Sequence, residues 1–113
     1  MKYLLTLWGD ETRGANATPE EQQAEMARWD AYTTGVRDAG VFVAGEGLQP
    51  SATATTVRVD DSLVTDGPFA ETKEQLGGFY LLDCKDLDEA IAWGKKIPMT
   101  GGSVEIRPVM QFD

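Results

Sequence analysis

The chain has 113 residues, 42% of them hydrophobic and 26% charged, which suits one domain over residues 1–113 with a core that needs no disulfide staples. Nineteen acidic residues against 10 Lys and Arg leave a formal net charge of −9, and this argues against nucleic acid as a partner, because phosphate binding needs a Lys/Arg surface that releases counterions. The chain has no histidine and one cysteine, which excludes His-held metal or haem, a His-activated nucleophile and an intrachain disulfide.

Tyr3 to Trp8 reads as a first strand, apolar at nearly every position. Gly9 to Asn16 is a polar loop. Thr18-Pro19-Glu20-Glu21 is a helix start: Thr18 caps, Pro19 suits the first turn, and Glu21 completes a capping box. Met26, Trp29, Thr33 and Val36 then fall on one stripe, with Tyr32 beside it, and Gly40 marks the helix end. Val41 to Leu48 forms a second strand, whose Gly45 and Gly47 signal a bulge or a close backbone approach. Thr53 to Val59 alternates as a third strand, and Asp60-Asp61-Ser62 turns the chain back into Leu63-Val64-Thr65. Asp66 to Glu74 is a loop, and Gly78 to Cys84 a further strand. Asp86 caps a second helix, with Leu87, Ala90, Ile91, Gly94 and Ile97 on its apolar stripe and Pro98 ending it. Ser103 to Val109 is the last strand.

The run Tyr3–Trp8 is too short for a secretory signal and turns polar at once at Gly9-Asp10-Glu11. No apolar run approaches the ~20 residues needed to span a bilayer. The expectation is a cytoplasmic protein with no membrane partner. Cys84 follows an apolar strand and reads as a buried free thiol. Reactivity would need a nearby cation, and only Lys85 is adjacent.

The order strand–helix–strand, hairpin, strand–helix–strand is that of an α+β, ferredoxin-like split βαβ sandwich with an inserted hairpin. Both helices of that fold cover one face of the sheet. Yet Tyr3, Leu5 and Leu7 oppose Leu4 and Trp8 across the first strand, and Phe79/Leu81 and Tyr80/Leu82 repeat this two-sided apolarity. A sheet apolar on both faces needs both covered, which predicts a homodimer packed sheet to sheet. The alternative cover is a long loop folded over the sheet.

The string Asp66-Gly67-Pro68-Phe69-Ala70-Glu71-Thr72-Lys73-Glu74-Gln75 resembles the signature of the DGPF family, within the broader YCII-related group. Val43 to Leu48, Ala54 to Arg58 and Gly102 to Pro108 are similar to that family as well, so the resemblance spans essentially the whole chain. It implies a ferredoxin-like subunit that pairs into a dimeric α/β barrel. Some members are encoded near sigma factors, which underlies a reading as a regulatory or interaction module associated with transcription. The broader group has been proposed to contain enzymes, because some members set a His near a conserved Asp and because muconolactone isomerase has a related fold. This chain keeps the Asp, as Asp66, but has no His.

Candidate site residues cluster around that segment. Asp66, ahead of Gly67-Pro68, reads either as the former of an Asx-turn or as a partly buried carboxylate acting as general base. Lys73 reads as a holder of an anion or a partner of Asp66, and Phe69 as an apolar wall. Glu71 and Glu74 add ionisable groups, or are simply solvated. Arg58 reads as a carboxylate ligand or a surface ion pair, Tyr80 as a hydroxyl donor or a core residue, and Glu46 as a cavity charge or a solvated one. Trp8 closes the first strand nearby. No cofactor and no metal are expected, since neither a calcium-loop spacing nor a phosphate loop occurs. Three readings follow: a protein binding a small molecule near the DGPF loop, a cofactor-independent isomerase- or lyase-like enzyme using Asp66, and a protein-interaction module.

Overall fold

The computed structural model describes residues 1–112. Six strands and two helices run β1 (Lys2–Gly9), α1 (Pro19–Asp38), β2 (Phe42–Gly47), β3 (Thr55–Val57), β4 (Val64–Asp66), β5 (Gln75–Asp83), α2 (Leu87–Lys95) and β6 (Ser103–Pro108), with a short 3-10 turn at Ser51–Thr53. β2, β5, β1 and β6 form an antiparallel sheet in that order, and β3 and β4 form a separate two-stranded hairpin. The fold is thus α+β with a mainly antiparallel sheet and two helices. Among the described residues no helix is long and apolar enough to cross a membrane.

Local chemistry sets the helix ends. The Thr18 hydroxyl accepts the Glu21 amide at 3.1 Å while the Glu21 carboxylate reaches back to the Thr18 amide, so the capping box forms as the residues predict. Gly40 takes a φ of 75° just past α1, a conformation that a Cβ would penalise. Asp86 caps α2 through the Glu89 amide at 2.9 Å.

Alternation along β1 puts Tyr3, Leu5 and Leu7 beneath the helices, and β5 adds Tyr80 and Leu82. Tyr32 and Val36 of α1 and Ala90 of α2 close the core from above. Gly94 lets α2 settle on β6, where an added Cβ would come within 3.2 Å of Ile106. The helices are joined by the Tyr32 hydroxyl, which donates to the Trp93 carbonyl at 2.9 Å. Burial pushes the Tyr32 phenol well above its ordinary pKa.

Two expectations about the buried stripes are corrected. Met26 is 66% exposed and drops out of the stripe, while Val36 and the neighbouring Tyr32 are buried against the sheet with Trp29 packed beside them. Leu87 is also exposed, because it lies at the first turn of α2 beyond the edge of the core.

The second face of the sheet carries no helix. Leu4, Thr6 and Trp8 lie there with Phe79 and Leu81, and Ala44 stands opposite Leu81. Leu4, Trp8, Phe79 and Leu81 are only half-buried. The chain measures 48 × 42 × 18 Å, with a radius of gyration of 15.8 Å where a compact domain of this length would have about 13 Å. It exposes 8186 Å², against about 6,100 Å² for a folded monomer of its mass.

Candidate functional site

Two cavities bear on function. The first, about 470 Å³, is a cleft between α1 and the β2–β5 edge of the sheet. Its floor is aromatic. The Trp29 and Tyr80 rings lie nearly parallel, 8° apart in plane with centroids 6.4 Å apart, and Phe42 meets Tyr80 edge-on at 6.3 Å. The Tyr80 hydroxyl and Thr33 Oγ1 are 2.7 Å apart. The Arg37 guanidinium lies 4.6 Å above the Phe42 ring.

The opposite wall is strand backbone. Pairing puts Gly45 opposite Tyr80 and Gly47 opposite Gly78, all on the helix-covered face. A Cβ at Gly45 would stand 2.8 Å from the Tyr80 ring, and one at Gly78 would stand 2.8 Å from the Glu46 carbonyl. A Cβ at Gly47 would meet nothing within 4 Å, because it would project into the cleft. The close approach expected of Gly45 is therefore real, while the bulge of β2 falls at Val43, between the pairs Phe42–Leu82 and Ala44–Leu81.

On the α1 side the cleft is lined by Glu25, Trp29, Thr33 and Arg37, one residue per turn at steps of four. Only Trp29 and Thr33 of these stood out in the sequence, and both as core. A row running Glu, Trp, Thr, Arg beside the buried stripe was the available signal: its mixed polarity marks the border between core and solvent.

The second cavity, about 570 Å³, lies beside the Asp66–Glu74 segment. Gly67, Pro68, Glu71 and Lys73 line it from the segment, and Asp10, Glu11 and Ser51 from across it. Most of its polar groups are already engaged within the protein. Asp10 Oδ1 accepts the Thr12 hydroxyl at 2.7 Å and the Thr12 amide at 2.9 Å. These bonds, with the Lys73 and Arg13 charges, hold the Asp10 carboxyl below its ordinary pKa. Glu11 spends both oxygens on Ser51, at 2.6 Å to the amide and 2.6 Å to the hydroxyl. The Gln75 amide ties down the Ala70 and Thr72 carbonyls at 3.2 and 3.0 Å. The cavity is thus bounded by a stapled loop, with Lys73 in its lining and engaged in no hydrogen bond or ion pair among the described residues.

The nine candidate residues are distributed, not assembled. Glu71 and Lys73 line the loop-side cavity, and Tyr80 and Glu46 the α1 cleft. Glu46 stands opposite Phe79, so its side chain shares the helix-free face and the cleft sees its backbone. Trp8 is on the helix-free face, where its indole N–H donates to Thr6 Oγ1 at 2.9 Å. Asp66, Arg58, Phe69 and Glu74 line neither cavity. Asp66 ends β4 with its side chain exposed to solvent. Phe69 is 88% exposed and walls nothing. Arg58 holds the hairpin through its backbone amide, which donates to the Leu63 carbonyl at 2.7 Å.

Among the described residues the Asp66 carboxylate accepts no hydrogen bond; Asx-turns form at Asp10, and at Asp61 through the Leu63 amide at 3.0 Å. Gly67 takes a φ of 96°, and its amide and carbonyl fasten the turn to Ala54 and Thr56, each at 2.7 Å. The DGP sequence therefore works here through the backbone of Gly67. Among the described residues no cluster of acidic or sulfur ligands suits a metal ion.

Cys84 is 1% exposed. Burial first, then the neighbouring Glu89 and Asp83 carboxylates, pushes its thiol above the ordinary value. A protonated, enclosed thiol is unreactive. The native protein is expected to resist a disulfide reagent at neutral pH and to react fast in denaturant. Rapid labelling of the folded protein would contradict this placement.

A comparison with protein families matches the YCII-related domain over residues 1–113. An uncharacterised protein of Rhizobium meliloti (strain 1021) is 38% identical over 118 residues, covering 99% of this chain and 94% of that protein.

Proposed function

The chain belongs to the YCII-related family, and we propose that it binds a small molecule in the cleft between α1 and the β2–β5 edge, as a protomer that pairs with a second copy through the helix-free sheet face. The observation that carries the ligand reading is the cleft's construction. An aromatic floor faces a wall from which glycines remove the side chains, and about 470 Å³ is in the range of small-molecule sites. The loop-side cavity is the weaker candidate, because its carboxylates and its amide already have partners within the protein.

Gly47 offers the test. Valine there suits a strand, its Cβ meets no atom within 4 Å, and its methyls fill cleft space. Compounds that raise the melting temperature of the wild-type protein in a screen are expected to lose that effect in Gly47→Val, with the melting temperature of the unliganded variant little changed. Equal stabilisation of both proteins by the same compounds would sink the cleft as the site.

Pairing is supported by the surface. The protomer exposes about 2,000 Å² more than its mass warrants, and a standard interface buries about 800 Å² on each partner. Leu4, Trp8, Phe79 and Leu81 supply an apolar centre for it. The expected assembly in solution has twice the 12.3 kDa of the chain. With both sheet faces covered, the subunits form the dimeric α/β barrel.

A further inference from the structure

Within the cleft, the polar groups are not placed at random, and they say what kind of ligand fits. Thr33 and Tyr80 each carry one hydroxyl proton, and their mutual bond at 2.7 Å uses one of the two. Among the described residues the other proton has no acceptor, and it sits where Tyr80 is 8% exposed. A half-buried donor of this kind calls for an acceptor. One helical turn on, about 6 Å along α1, Arg37 is packed over Phe42 and is ion-paired with no carboxylate among the described residues. Glu25 lies two turns the other way, about 12 Å from Thr33 along the helix, at the far end of the same row. Trp29 is between them, its ring over the floor.

We infer that the cleft takes an apolar-bodied carboxylate, with its anionic group on Arg37 and the Thr33–Tyr80 hydroxyl pair and its body against Trp29. This rests on the cleft being the ligand site. A guanidinium binds a carboxylate through charge-assisted hydrogen bonds, and one hydroxyl proton remains to complete the oxygen's coordination. Glu25 sets the direction by repelling the anion from the other end. The aromatic floor accepts a flat or extended hydrocarbon body without further polar demands. An ammonium placed at the Arg37 end would meet like charge, and placed at the Glu25 end it would leave the hydroxyl donor and the guanidinium without acceptors.

The experiment compares three matched probes by isothermal titration calorimetry: 3-phenylpropanoate, 3-phenylpropan-1-ol and 3-phenylpropan-1-amine. The acid is expected to bind tightest, by about tenfold over the alcohol, as one charge-assisted hydrogen bond would give. Arg37→Gln should remove that advantage, and Arg37→Lys should restore part of it. Thr33→Val should weaken the acid several-fold, and Glu25→Gln should leave it unchanged or tighter. Arg37 and Glu25 are exposed, so these two positions can be changed without disturbing the core. Binding of the amine as tight as that of the acid, or acid binding indifferent to Arg37→Gln, would overturn the carboxylate assignment. If all three probes bound Gly47→Val as well as the wild-type protein, the cleft itself would be the wrong place. If Gly47→Val abolished binding while the acid held no advantage, the cleft would stand and the ligand class would fall.

Discussion

Leu82→Ala is expected to lower the unfolding free energy by about 2–5 kcal/mol, the range for deleting a fully buried leucine side chain. Leu82 has no exposed surface, and lies next to last in β5, opposite Tyr3 of β1 and Phe42 of β2. Its neighbours on that face are the core residues that hold α1 and α2 to the sheet, so the vacated volume has no flexible surface side chain to fill it. Against a total stability of about 5–15 kcal/mol for a typical domain, the loss is large enough to read directly as a shifted denaturant midpoint. A shift below about 1 kcal/mol would mean that the site repacks, and that the two helices are held elsewhere.

The adjacent residue should behave in the opposite way. Leu81→Arg is expected to leave the protomer folded and to halve its mass in sedimentation. Alternation along β5 sends Leu81 to the helix-free face, beside Leu4 and opposite Ala44. A guanidinium at the centre of an isologous interface meets its own copy across the two-fold axis, and both charges lose their water. The cost appears twice per dimer, while the free protomer has that face in solvent and incurs none of it. A variant that stays dimeric would place the interface on another surface. A variant that unfolds would show that Leu81 belongs to the core. The apolar hairpin residues Val57, Val59 and Val64, all exposed, are the nearest alternative for such a surface.

The loop segment around Asp66 identifies the family more directly than it builds a pocket. Asp66-Gly67-Pro68-Phe69 is the most recognisable part of the chain, and the family membership it pointed to covers residues 1–113. Its side chains nonetheless disperse. Asp66 and Phe69 face solvent, while the structural work falls on the Gly67 backbone and the Gln75 amide. Asp66→Asn should accordingly change neither probe binding nor stability by a measurable amount, since the carboxylate has no hydrogen-bond partner among the described residues.

Sequence by itself determined the elements and their order. Thr18–Glu21 and Asp86–Glu89 mark helix starts because capping is a contact between residues three apart. The two-sided apolarity of Tyr3–Trp8 and Phe79–Leu82 identified a sheet with a face left over, because alternation is local as well. Tertiary structure alone decided how far along α1 the stripe is buried, since that depends on where the sheet lies beneath it; Val36 and Tyr32 are covered and Met26 is not. It also decided where the cleft opens. Gly45, Gly47 and Gly78 belong to two strands 30-odd positions apart in the chain, and only their pairing, in the register left by the bulge at Val43, puts three missing side chains on one wall opposite Trp29. A string of neighbours in sequence can announce a family, but a site is made of neighbours in space.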